Sequence, residues 1–223
     1  MAADKSLPVE PLPAEPLPVE PLPAEPLPVE LLPAERQPAE RQLRADARRN
    51  QEKLVAVARE AFTDHGIDAP LDDIARRAGV GPGTLYRHFP TREALLAAVY
   101  ISDIETLSAR ADEFRAILPP IEALTAWINE QMEYIGHKRG LGAAIKSMLG
   151  TNSEIMDYCR DTLRGAVGRL LEPAQADGFI RTDIDSATLL RLIHGVGVAS
   201  ESQPDKGELM LSVVLAGLRP SAP

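Results

Sequence analysis

Cysteine occurs once in the 223 residues, at Cys159, so neither an internal disulfide nor a thiolate metal cage can form. That fits a reducing compartment, and the thiol itself reads as inert packing. Aromatic side chains make up 4% of the chain, which leaves any core to Leu, Val, Ile and Ala. No run of about 18 uncharged apolar residues exists. The amino terminus also lacks the basic-then-apolar layout of a signal peptide, so the chain is expected to be soluble and cytoplasmic. Nucleophile, base and orienter are missing at any family-specific spacing, which argues against an enzyme. His137 and His194 read as surface or packed histidines, and neither a metal nor a cofactor is expected.

Excess positive charge is lacking too. The formal net charge of −9 argues against bulk electrostatic attraction to nucleic acid. Its distribution is uneven: residues 1–43 hold 3 basic and 8 acidic side chains, 44–100 hold 9 and 8, and 101–223 hold 12 and 17. Only the middle segment is net positive, by one. Any binding to DNA must therefore rest on a few well-placed cations.

Proline, by contrast, is abundant at the start. A pentad places Pro at 8, 13, 18, 23, 28, 33 and 38 and Glu at 10, 15, 20, 25, 30, 35 and 40. Recurrent proline removes backbone donors and glutamates repel one another, so this stretch cannot build a packed core. Residues 1–43 are expected to be a disordered, extended Pro/Glu-rich tail: a spacer, a ligand for a proline-reading groove, or a dispensable segment.

Past Leu43 the periodicity is helical, without β-rich alternation, and the fold class is expected to be all-α. Leu54, Val55, Ala58 and Phe62 form one stripe of a helix from about Ala45 to His65, ended by Gly66. Pro70 suits the first turn of a second helix, in which Asp72 and Asp73 face the positive end of the dipole. Gly79-Val80-Gly81 is a tight turn, Pro82 opens a third helix ending near Phe89, and Thr91 caps a long fourth. Two short helices about a glycine turn describe a helix-turn-helix, whose second helix enters the DNA major groove. Ile74, Ala75, Val80, Leu85 and Phe89 supply an apolar wedge against Phe62. Pro82, Gly83, Thr84, Tyr86, Arg87 and His88 are left outward. Hydroxyls and a helix amino terminus position phosphates, and Arg87 can reach guanine O6 and N7. Gly79-x-Gly81-x-Gly83 is no nucleotide loop, since no strand precedes it and no Lys-Ser/Thr follows.

The run from Asp73 to Phe89, DIARRAGVGPGTLYRHF, followed by Arg92-Glu93-Ala94-Leu95, resembles the DNA-binding signature of the tetracycline-repressor (TetR) family of regulators. The resemblance covers about Arg44 to Tyr100 and includes Phe62 and Gly66. It implies that Thr84, Tyr86 and His88 contact phosphates, that Arg92 replaces the family's usual backbone-binding lysine, and that Pro82, Gly83 and Arg87 face bases. Arg44, Arg48 and Arg49 lie where members often send an arm to the DNA. Pro70 and Gly81 depart from the family's usual hydroxyl residues, and each loses a group able to cap or to touch phosphate.

The rest of the chain divides into segments 91–116, 121–137, 141–149, 153–175, 186–200 and 207–218, punctuated by Pro119-Pro120, Gly140, Gly150 and Asp177-Gly178. The resemblance implies that residues 101–223 form an effector-binding and dimerisation domain behind a DNA-binding domain at 44–100. The last two helices are apolar around most of their circumference, including Leu189, Leu192, Val196, Leu209, Val213 and Leu218. Pairing two copies would bury that surface, with Gly195 and Gly197 allowing close approach. Trp127, Met132, Tyr134, Met148, Met156, Tyr158 and Cys159 are candidate lining for an effector cavity, although each taken singly reads as ordinary core. The expected function is a ligand-responsive regulator, a repressor, binding a palindromic double-stranded operator as a homodimer with an unidentified small-molecule effector. The alternative is an adaptor whose Pro/Glu tail docks a partner.

Overall fold

A computed structural model describes residues 36–137, 145, 147, 148, 150 and 153–220. Every described element is helical: α1 (Arg36–His65), α2 (Leu71–Arg77), α3 (Pro82–His88), α4 (Arg92–Ile117), α5 (Pro120–His137), α6 (Glu154–Ala176), α7 (Ser186–Ser202), a single 3-10 turn (Pro204–Lys206) and α8 (Gly207–Gly217). No described helix is long and apolar enough to cross a membrane.

Capping chemistry explains most of the boundaries. The Thr91 hydroxyl accepts from the Ala94 amide at 3.2 Å, and the Asp185 carboxylate accepts from the Thr188 amide at 2.7 Å. Ser153 does the same for Met156 at 3.4 Å. Each side chain satisfies an amide that has no partner inside its own helix. Pro70 is the residue before α2 rather than its first residue, with an extended backbone and no side-chain cap. Gly66 and Gly79 have φ of +74° and +70°, the left-handed region that a side chain disfavours, and they end α1 and the α2 turn.

Helix α1 begins nine residues before the Ala45 start expected from sequence, so 36–43, read as part of the tail, are helical. Pro38 lies in the first turn of α1 as described, where backbone amides need no intrahelical acceptor and a missing donor costs little. The pentads up to residue 35, and most of the expected 141–149 helix, lie outside the described residues; Ile145, Ser147 and Met148 are helical.

Two apolar clusters organise the chain. One joins Leu54, Ala58 and Phe62 of α1 to Ile74, Ala75, Leu85, Phe89, Leu95, Leu96 and Val99, which makes α1, α2, α3 and the start of α4 a head. The other packs α4 from Ile104 onward against α5, α6, α7 and α8 around Trp127, Val167, Leu170 and Ile193. Helix α4 runs through both clusters and spans roughly 39 Å at 1.5 Å per residue.

Candidate nucleic-acid interface

The helix pair α2 and α3 is locked from beneath. Ile74, Ala75 and Leu85 are completely buried, Phe89 nearly so, and all four pack with Phe62. Val80 turns back onto the same cluster, and its amide donates to Ala75 O at 3.0 Å while Gly79 N donates to Arg76 O at 3.1 Å. With Leu85 facing inward, the helical repeat turns its neighbours out. Pro82, Gly83, Tyr86 and Arg87 are exposed, and Thr84 and His88 are half-buried. The structure thus brings all six sequence-predicted residues of α3 to one short helix, with Gly81 as its N-cap and Pro82 in the first turn.

Charge on the head is mostly committed elsewhere. Arg76 pairs with Asp73, and Arg77 pairs with Glu60 at 2.9 Å, tying α2 to α1. Arg87 differs: among the described residues it has no hydrogen-bond or ion-pair partner, and its side chain stands in solvent at the carboxy-terminal end of α3. Arg92 is half-buried, and its Nη1 donates to the carbonyl oxygens of Ile67 at 2.7 Å and Ala69 at 2.6 Å. It therefore clamps the α1–α2 loop to α4, a structural task absent from the sequence reading. Arg48 and Arg49, expected in an arm, belong to the regular helix α1, where Arg48 lies 3.5 Å from Glu52 and Arg49 pairs with Asp46.

A helix pair fixed by a buried wedge, presenting small residues, a hydroxyl, an exposed tyrosine ring and one uncommitted guanidinium, has the build of a major-groove reader. Comparison with known proteins decides the family. Residues 54–99 match the family model described as bacterial regulatory proteins, tetR family, and residues 119–220 match the transcriptional regulator SbtR-like C-terminal domain. A TetR transcriptional regulator from Streptomyces coelicolor of known structure is 38% identical, with 77% of this chain and 99% of that one covered and a TM-score of 0.65. The chain belongs to the TetR family. A TetR regulatory protein from Mycobacterium vanbaalenii is 31% identical over 80% of this chain and 99% of its own, with a TM-score of 0.62. The HTH-type transcriptional regulator UidR of Escherichia coli is 27% identical over 161 residues, 68% of this chain and 79% of UidR. As a member of this family the chain is a transcriptional regulator and not an enzyme.

Of the seven predicted cavity residues, Trp127, Met132, Tyr134 and Cys159 lie in or against the body's apolar cluster, and Met148, Met156 and Tyr158 do not. Trp127 is completely buried, and its indole Nε1 donates to Leu107 O at 2.7 Å, a satisfied core contact. Tyr158 points outward, with its hydroxyl donating to Glu105 Oε1 at 2.8 Å. Met148 packs against the head cluster, while Met156 is buried in the first turn of α6. Tyr134 is half-buried beside the body cluster; burial, helped by Tyr100 and Cys159, pushes its phenol well above the usual tyrosine range. Met132 lines an opening of about 650 Å³ between α5, α7 and α8, with Leu211, Leu215, Glu201 and Glu208 among its walls. On α8 those leucines occupy the flank opposite Leu209 and Val213.

Sequence reasoning missed Gln131. It is buried on α5, and its Oε1 has no hydrogen-bond partner among the described residues. The available signal was its position on the stripe Leu124, Trp127, Ile128, Ile135, where every other member is apolar. An unmade buried hydrogen bond costs roughly 1–3 kcal/mol.

The last two helices divide their apolar residues between core and solvent. Leu189, Ile193, Leu211 and Leu218 are buried in the body, whereas Leu192, Val198, Leu209 and Val213 are 41 to 64% exposed. Gly197, expected to ease contact between copies, instead faces inward. A Cβ there would meet Ile135 Cδ1 at 2.6 Å, so this glycine sets the approach of α7 to α5 within one protomer.

Proposed function

We propose that this TetR-family chain is a cytoplasmic, ligand-responsive repressor that binds a near-palindromic operator as a two-fold homodimer. Residues 44–100 act as the DNA-binding head and 101–223 as the effector-binding and dimerisation body. The observation that carries the reading is Arg87: it is uncommitted on an exposed helix whose other arginine neighbours are paired. In the major groove it serves as the guanine reader, with Pro82 and Gly83 allowing close approach to bases. Thr84, Tyr86, His88, the remaining donors of Arg92 and, from α1, Arg48 hold phosphates.

Dimerisation is supported by Leu192, Val198, Leu209 and Val213, four large apolar side chains on the two terminal helices. A second copy would cover them in a four-helix contact. Ligand response is supported by the buried Gln131 Oε1 on α5, which finds no hydrogen-bond donor among the described residues. An effector donating to that oxygen recovers the unmade bond and favours the body conformation in which it fits. The test is enrichment of duplexes from a random pool by the purified full chain, with sedimentation at micromolar concentration alongside. Recovery of a two-fold motif by a dimer supports the proposal. A monomer, or a pool without sequence enrichment, refutes it.

A further inference from the structure

Helix α4 changes partners part-way along its length. Its first turns bury Leu95, Leu96 and Val99 in the head; from Ile104 onward it buries Leu107 and Ala111 in the body. The seam between these stretches is polar. Ser102 is half-buried and Asp103 is only 6% exposed, one of two buried polar side chains among the described residues.

Across this seam reaches Arg59, from the middle of α1. Its Nε donates to Asp103 Oδ1 at 2.5 Å and its Nη2 donates to Ser102 Oγ at 3.0 Å. A planar guanidinium held at two points fixes orientation as well as distance, which a lysine or an apolar contact does not. Stability alone is a poor reason for such a contact, since desolvating a buried carboxylate offsets much of the Coulombic gain. Arg59 also acts electrostatically on Tyr134 of α5, which lies beside the body cluster. Tyr100, three residues before Asp103 on α4, packs against both the head and the body clusters.

We propose that the contact of Arg59 with Asp103 and Ser102 sets the angle of the head on α4, and so determines the half-site spacing that the dimer accepts. This rests on the dimeric operator reading given above. Arg59 and Asp103 are positioning residues and touch no base. Leverage makes the angle matter. Eleven residues of α4 separate Arg92 from Asp103, about 17 Å at 1.5 Å per residue. A tilt of about ten degrees at the seam moves the far end by about 3 Å, close to the 3.4 Å rise of one base pair.

The test uses the full chain and an operator enriched from a random duplex pool by the unaltered protein. Affinity is measured on a panel in which the half-sites are moved apart or together by one and two base pairs. The unaltered protein is expected to lose about tenfold for each added or removed pair. The double variant Arg59→Met/Asp103→Leu, checked by its thermal melt, is expected to keep the same base preferences within each half-site. Its spacing optimum flattens to less than about threefold over its neighbours. Arg59→Lys keeps the charge but gives up the two-point contact, and is expected to broaden the profile part-way. It supplies the decision should the double variant fail to fold. A folded variant that retains the sharp profile overturns the inference alone. No spacing preference in the unaltered protein overturns the dimeric reading and this inference together.

Discussion

Arg87 is defined by contrast with its neighbours. Arg76, Arg77 and Arg92 spend donors on Asp73, Glu60 and the loop carbonyls, which leaves Arg87 as the guanidinium of the helix pair without a partner among the described residues. Arg87→Ala is expected to relax preference at one base pair in each half-site, at a loss of about 1–3 kcal/mol, with other positions unchanged. Competition binding against single-base operator variants measures it, and a uniform loss would instead make Arg87 a phosphate contact. Inside the body, burial followed by the Glu105 charge raises the Cys159 thiol from 9.0 to about 11, and burial raises the Tyr100 phenol from 10.0 to about 12. Both groups stay neutral longer in the folded chain than in the unfolded one. Their contribution to stability is therefore full below pH 9 and drains away as pH rises, through 11 for the thiol and 12 for the phenol. Denaturant melts across pH 8 to 12 should show that decline, and alkylation of Cys159 should be slow at neutral pH in the folded protein.

At the level of elements, local chemistry was largely readable in advance. The α2–α3 pair announces itself through Gly79, Pro82 and the spacing of Ile74, Leu85 and Phe89, because turn geometry and burial of one helix face are local demands. Thr91 could likewise be read as a cap. Contacts between distant segments were not readable. Nothing in the motif shows that Arg59 would meet a carboxylate 44 residues away, that Arg92 would fold back onto Ile67 and Ala69, or that Trp127 would find its acceptor on α4. Gly197 is the same kind of case. Its residue type suggested close approach, but only the packing of α7 on α5 shows that Ile135 is what approaches. Gly197→Ala is expected to destabilise by about 1–3 kcal/mol through overpacking. Adding Ile135→Val should recover part of that loss in a double-mutant cycle, whereas strict additivity of the two changes would place the strain elsewhere.

For the whole molecule, the central claim is that one chain supplies one reading head, and that the exposed Leu192, Val198, Leu209 and Val213 bring two heads together. Bulk charge gives little help, since the chain carries −9 overall and its head is close to neutral. On the proposed dimeric reading, affinity comes from placing two α3 helices in successive major grooves at once, each adding a handful of phosphate and base contacts. The direct measurement is the affinity of the full chain, at one fixed salt concentration, for its enriched operator and for the same duplex with one half-site scrambled. A loss of about a hundredfold or more on scrambling is the expected result. Equal affinity for the two duplexes would contradict it, because a single head would then suffice.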